Sequence, residues 1–271
     1  MPVRLIATDI DGTLLNNASD IPRENVEIIR ESQRRGIPVV IASGRFPENV
    51  FVKLEEYGLN CPIIGTNGAQ ITDQHLHSLA SRPMDGKAAE RVLDVLEAFQ
   101  ADYFIFGNKA VCTGTAGLRH HSEISCGDRI RSLGVVYTHG RDAARDMVRG
   151  QTVYKFFVCN NQPLPPIREA LLKEEDILVT QSNPHNVEVM PAGVDKALGI
   201  RTYAGSLGIP LSDVMALGDE ENDLPMLTAV GWGVAMGNGS EATRAAARFV
   251  TDTNEHCGFA AAIRKYAFQE G

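Results

Sequence analysis

Cysteine is scarce in this 271-residue chain. The five that occur, Cys61, Cys112, Cys126, Cys159 and Cys257, stand singly and never as a CxxC pair. That argues against a disulfide framework or a zinc cluster and points to a reducing compartment. No apolar run approaches the ~20 residues of a membrane helix. The apolar part of Met1 to Asp9 is too short for a signal-peptide core and offers no cleavage site. Basic charge is also in deficit, 26 Lys plus Arg against 34 Asp plus Glu, a formal charge of −8. This balance disfavours a sequence-independent grip on nucleic acid or on an anionic membrane. What remains, with 44% hydrophobic and 22% charged residues, is the composition of a globular protein of one large domain or two at ~100–200 residues each. A cytoplasmic protein is expected, monomeric or a small homo-oligomer, with neither nucleic acid nor membrane as partner.

The apolar pattern begins as strand, loop, helix, strand. Val3–Thr8 reads as a buried strand ended by the polar loop Asp9–Gly12. A helix follows Pro22, with Val26 and Ile29 at helical spacing, and stops at Gly36. Pro38–Ala42 is a second strand ended by Ser43-Gly44-Arg45, Pro47–Tyr57 a second helix, and Pro62–Gly65 a third strand ended by Thr66-Asn67-Gly68. This alternation predicts a Rossmann-like parallel sheet with helices on both faces. From Ala69 the rhythm changes to hairpin-like strands and occasional helices, and between Thr113 and Gly150 no pattern is clear. After Pro191 the strand and helix alternation returns, with strands at Val214–Leu217 and Gly233–Met236. The organisation expected is an α/β core of residues 1–82 and 187–271, interrupted by an α+β domain of residues 83–186.

In a doubly wound sheet ligands gather at the carboxyl ends of the strands, and here those ends carry groups suited to phosphate and metal. Asp9 can attack phosphorus if a cation eases the approach of two anions. Asp11, beyond a turn relaxed by Gly12, can protonate a leaving oxygen and then deprotonate water. The competing readings are a solvated Asx turn or a calcium loop. The latter fails because Thr13 and Asp20 stand at its fifth and twelfth positions and a strand precedes it. Asp219, Glu220, Glu221 and Asp223 would repel one another without a cation. Asp219, directly behind an apolar strand, reads as a Mg²⁺ ligand, and Glu220 and Glu221 as a surface turn favoured by a helix dipole. Ser43 with the Gly44 amide suits a phosphate oxygen or a simple helix cap. Lys196 opens a helix where a cation is disfavoured, a hint of function.

In these residues the sequence resembles the haloacid dehalogenase-like (HAD) phosphatases, and among them the Cof-type branch with a C2 (IIB-type) cap. Asp9-Ile10-Asp11-Gly12-Thr13 is similar to the first motif, Ser43-Gly44-Arg45 to the second, Lys196 to the third and Gly218-Asp219 with Asn222-Asp223 to the fourth, all in order. Thr66-Asn67-Gly68-Ala69 and Val234-Ala235-Met236-Gly237-Asn238 are further similar stretches. The resemblance implies a Mg²⁺-dependent phosphatase of small phosphorylated metabolites such as sugar phosphates, with Asp9 as nucleophile and Asp11 as general acid and base. Thr13 and Ser43 would position phosphate, and Lys196 would balance its charge. Gly44, Arg45, Asn67 and Asn222 would help bind substrate. Asp9, Asp219 and Asp223, with the Asp11 carbonyl, would hold the metal. Asp195, where the family often has Ser, remains a good N-cap.

Two rival readings stay in view. A phosphomutase would need a second phosphate site, for which the arginines Arg119, Arg129, Arg131, Arg141, Arg145 and Arg149 of the inserted domain are the candidates. A phospho-accepting receiver module shares the acidic pair, hydroxyl and lysine, but has neither the insertion nor an acid two residues past its nucleophile. His75 and His77, read as one face of a strand, and the adjacent His120-His121 lack metal partners. Gly231-Trp232-Gly233 precedes its strand and so reads as a turn rather than a dinucleotide loop.

Overall fold

The computed structural model describes residues 2–114, 127–159, 164–182 and 185–269. His120, His121, Arg119 and Cys126 lie outside them. Along the chain the elements are β1 (Leu5–Thr8), α1 (Arg23–Arg34), β2 (Val39–Ala42), α2 (Pro47–Glu55), β3 (Ile63–Gly65), β4 (Gln70–Thr72) and β5 (Ser78–Ser81). There follow α3 (Gly86–Ala98), β6 (Tyr103–Gly107), β7 (Ala110–Thr113), α4 (Gly127–Ser132), β8 (Val136–His139), α5 (Arg141–Gly150), β9 (Val153–Val158), α6 (Leu164–Leu171), β10 (Ile177–Thr180) and β11 (Val187–Pro191). The chain ends with α7 (Lys196–Ser206), β12 (Val214–Gly218), α8 (Leu224–Ala229), β13 (Trp232–Ala235), α9 (Glu241–Ala246), β14 (Phe249–Val250) and α10 (Gly258–Ala262).

Two compact units emerge, Met1–Leu79 with Asp195–Gly271, and Ala80–Val194. The first is built on an eight-stranded sheet of order β14-β13-β12-β1-β2-β3-β4-β5. Strands β14 through β3 in that order run parallel, and β4 turns back antiparallel on β3. The chain thus leaves β1 in one direction and returns to β12 on its other side, the strand-order reversal at which α/β sheets bind ligands. Strand β1 is buried at every residue, as a strand covered on both faces must be. Ile6, Val39, Ile41, Ile63, Met215 and Leu217 pack with Val26 and Ile29 of α1, Val50 and Leu54 of α2 and Phe259 of α10. Helix α7 lies against β2 and β3, so helices cover both faces.

The second unit carries a six-stranded sheet of order β10-β11-β9-β6-β7-β8. It is antiparallel apart from the β7–β8 pair. Ala88, Val92 and Leu96 of α3, Met147 and Val148 of α5 and Ile167 and Leu171 of α6 make its core with the sheet. Strand β11 pairs with β9 and β10, so Val187–Pro191 belongs to this sheet, and the boundary drawn from sequence at residue 187 falls inside the second unit. The stretch without clear pattern contains α4, β8 and α5. His75 and His77 sit in the turn between β4 and β5 rather than on a strand face, and His77 Nδ1 lies 2.9 Å from the Asp73 carboxylate.

Candidate active site

Asp9 follows β1, and its N–H donates to the Leu217 carbonyl of β12 (2.9 Å), which fixes the nucleophile candidate at the carboxyl end of the central strands. Lys196, the first residue of α7, is fully buried. Its Nζ donates to Asp9 Oδ1 and to Asp223 Oδ1, both at 2.6 Å. The helix that carries it is capped by Asp195, whose carboxylate accepts from the Leu198 N–H at 2.7 Å, so the lysine's locally disfavoured position at a helix start is held by its own cap. Burial opposes the charge on Lys196, but Asp223 and Asp9 more than offset it and keep the ammonium above its ordinary range.

Asp219 and Asp223 arrive from the loop after β12. Asp223 Oδ2 accepts from the N–H groups of Asp219 (2.8 Å) and Glu220 (3.1 Å), and Glu220 and Asp223 form a reciprocal capping box. Glu220 is thus a capping residue of the loop. Gly218 makes the turn possible, because a Cβ there would sit 2.5 Å from the Asp223 carboxylate carbon. Thr13 donates its hydroxyl to Asp219 Oδ1 at 2.8 Å, which orients that carboxylate. Gly12 adopts φ +71°, and a Cβ on it would approach Asp219 Oδ2 to 2.2 Å. Only glycine fits both its backbone conformation and that close approach.

Asp9, Asp219 and Asp223 are buried and bring one oxygen each within 4.8 Å of one another. Burial, with repulsion from the neighbouring carboxylates, pushes Asp9 up to about 7 and Asp219 up to about 9, against the opposing pull of Lys196. Three buried carboxylates facing one ammonium leave negative charge in surplus, and their donors are all oxygen. That set fits a hard divalent cation such as Mg²⁺. Asp223 spends both oxygens on Lys196 and the two amides, so it orients its neighbours.

Asp11 stands apart from this buried group. Its side chain is 55% exposed and takes a two-pronged bond from Arg45, Nε to Oδ2 at 2.8 Å and a terminal nitrogen to Oδ1 at 2.6 Å. The carboxylate of Asp11 is not one of the three that make up the acidic triad, and Arg45 grips it. Ser43, buried after β2, accepts from the Arg45 N–H at 3.0 Å. Asn67, at φ +54° in the turn after β3, accepts from Asn222 Nδ2 at 3.3 Å. Gly44 lies between Ser43 and Arg45, partly exposed. Every residue singled out by the four motifs, then, lies at one edge of the first unit's sheet. Sequence reasoning passed over Asn238, which donates to the Gly12 carbonyl at 2.8 Å. Its stretch, Val234-Ala235-Met236-Gly237-Asn238, carries a family resemblance, but no residue type there announces a role.

A family model for haloacid dehalogenase-like hydrolases matches residues 6–263. The chain belongs to this family. Phosphatase YwpJ of Bacillus subtilis is 31% identical over 280 residues, 95% of this chain and 98% of its own. The 5-amino-6-(5-phospho-D-ribitylamino)uracil phosphatase YcsE of the same organism is 29% identical over 266 residues, 97% of this chain and 96% of its own. The solved structure of a haloacid dehalogenase-like hydrolase from B. subtilis matches with TM-score 0.84 at 28% identity, covering 97% of this chain and 99% of that one. Among the haloacid dehalogenase-like hydrolases this chain is a Cof-type phosphatase, a phosphoric monoester hydrolase. The same membership accounts for a surplus of buried acid in a protein whose substrates are themselves anions.

Proposed function

We propose that the protein is a Mg²⁺-dependent phosphatase of small phosphorylated metabolites, of the sugar- and polyol-phosphate class, working through an aspartyl phosphate on Asp9. The observation that carries this reading is the Asp9 carboxylate, buried at the end of β1 and held by Lys196 at 2.6 Å, with Asp11 two residues on. One Asp9 oxygen attacks phosphorus as the bond to the ester oxygen breaks, and Asp11 gives that oxygen its proton. Asp11 then takes a proton from water, whose attack on the acyl phosphate releases inorganic phosphate and restores Asp9. Lys196 neutralises charge on the transferring group, and Ser43 with the Gly44 amide and Asn67 with Asn222 surround its oxygens. Asp9, Asp219 and the main chain at Asp11, steadied by Asp223, would hold Mg²⁺, which supplies charge neutralisation when bound.

The polyol class is supported by the relative named for a phosphorylated ribityl chain. The unit Ala80–Val194 is the proposed selector of the substrate's organic part, since the motifs of the first unit are committed to phosphate and metal. The test is phosphate release with Mg²⁺ from p-nitrophenyl phosphate and a panel of hexose, pentose and polyol phosphates, ranked by kcat/KM. Activity on the panel, lost in Asp9→Asn and in EDTA, is the expected result. Full turnover by Asp9→Asn would overturn the mechanism, and full turnover in EDTA would remove the metal.

A further inference from the structure

The turn Met236–Ser240 touches both halves of the candidate site. Its Ser240 N–H donates to the Asp219 carbonyl at 2.9 Å and its Met236 N–H to the Gly218 carbonyl at 3.0 Å. From the middle of the turn Asn238 Nδ2 reaches the Gly12 carbonyl at 2.8 Å, across 226 positions of sequence. The other end of the same amide, Oδ1, accepts from the Asn254 N–H at 2.9 Å, so the side chain's orientation is set. Asn254 Nδ2 in turn donates to the Leu15 carbonyl at 3.0 Å. The turn is itself braced by Arg244, which donates to the Gly237 and Gly239 carbonyls at 3.1 and 2.8 Å. Asn238 is exposed and contributes nothing to the core, yet both ends of its amide are engaged within the molecule.

Arg45 clasps the side chain of Asp11, and Asn238 holds the main chain one residue further on. Gly12, with φ +71°, is the most permissive residue type, and it immediately follows Asp11, which the mechanism needs first as acid and then as base. A group moving protons must be kept within about 0.5 Å of its productive place. The Asp219 carboxylate fills the space where a side chain on Gly12 would stand, and Asn238 holds its carbonyl, so the glycine is fixed from two directions. We infer that Asn238, oriented by Asn254, is a positioning residue that fixes the Asp11–Gly12 turn and thereby places Asp11 for proton transfer. The inference rests on the proposed role of Asp11 and deepens it.

The test compares kcat/KM for p-nitrophenyl phosphate, whose leaving group departs without a proton, with that for an alkyl phosphate such as glycerol 3-phosphate, whose leaving group requires one. In Asn238→Ala the alkyl ester should lose about 10- to 100-fold, the scale of a mispositioned proton donor, while the nitrophenyl ester changes by less than about threefold. Because the second step needs Asp11 as base for either ester, nitrophenolate should also appear as a burst matching the enzyme concentration. Asn238→Asp keeps the acceptor for Asn254 but cannot donate to Gly12, and should behave like the alanine variant. The half-saturating Mg²⁺ concentration and the melting temperature should stay near wild type. Equal losses on both esters, a shifted Mg²⁺ dependence alone, or no loss on either would overturn the inference. Asp11→Asn serves as the reference: if it shows no preference for the better leaving group, the parent reading of Asp11 fails, and that failure is seen independently of Asn238.

Discussion

Asp9 and Asp219 are carboxylates largely removed from water, and burial raises both, to about 7 and about 9, with repulsion from Asp223 adding to each, from Asp11 to the first and from Asp9 to the second. Above the ordinary value of 3.8 and up to those raised values, the folded protein holds more protons than the unfolded chain. By linkage, the metal-free fold therefore loses stability as pH rises through that window. A divalent cation takes over the neutralisation that protons supply at low pH. In thermal unfolding, Mg²⁺ should raise the melting temperature more at pH 8 than at pH 5, and Asp219→Asn should lose most of that difference. A Mg²⁺ effect equal at the two pH values in the wild type would show that these carboxylates do not bind it. At this scale the sequence was informative where partners are close in the chain. Asp9, Asp11 and Gly12 could be read as one loop, and Asp219 with Asp223 as another. The clasp of Arg45 on Asp11 and the Asn238 bond to Gly12 span 34 and 226 positions, and neither leaves a local trace in spacing or composition.

Helix α5 shows how an element escapes notice in sequence and what it then does. Arg141, Arg145 and Arg149 repeat at helical spacing and make the segment read as polar, while the buried stripe is only Ala144, Met147 and Val148. Two of these arginines are matched across the helix pair by acids of α3. Arg145 contacts Asp94 at 2.7 Å and Glu97 at 2.5 Å, and Arg149 lies 3.5 Å from Glu90. Periodicity cannot report a helix whose polar face is satisfied by another helix rather than by solvent. The same engagement bears on the rival phosphomutase reading, since Arg145 and Arg149 are already committed to carboxylates of α3. Arg145→Ala should lower the urea midpoint modestly, with a cost on the order of 1 kcal/mol for a pair only partly shielded from solvent. It should leave KM for the best substrate unchanged. A higher KM at unaltered stability would instead assign Arg145 to substrate binding. By contrast, β1, β2, β3 and β12 are legible because burial on both faces demands continuous apolar runs, and each of these four runs leads into residues of the site. Strand β11 lies just past the boundary drawn at residue 187, and its Glu188, which breaks the apolar run, is paired with Lys155 of β9 in the second sheet, a partner 33 positions away that spacing does not reveal.

Over the whole molecule, the net charge of −8 divides into surface charge, which governs association with large polyanions, and a buried acidic group that recruits a cation. Only the first supports an argument about nucleic acid; the second is compatible with a small anionic substrate. Length was equally ambiguous between one domain and two. Among the described residues each unit has its own hydrophobic core, and every residue of the candidate metal site belongs to the unit Met1–Leu79 with Asp195–Gly271. A ligand stabilises the cooperative unit that binds it, by RT ln(1 + [L]/Kd), and leaves an independent unit unchanged. Amide hydrogen exchange with and without Mg²⁺ should therefore show added protection in β1, in β12 and in α7, whose first residue is Lys196. Strands β6 and β9, deep in the second core, should exchange at the same rate in both conditions. If Mg²⁺ slowed β6 and β9 as much as β1 and β12, the two units would be unfolding as one, and the split into two cores would carry no thermodynamic meaning.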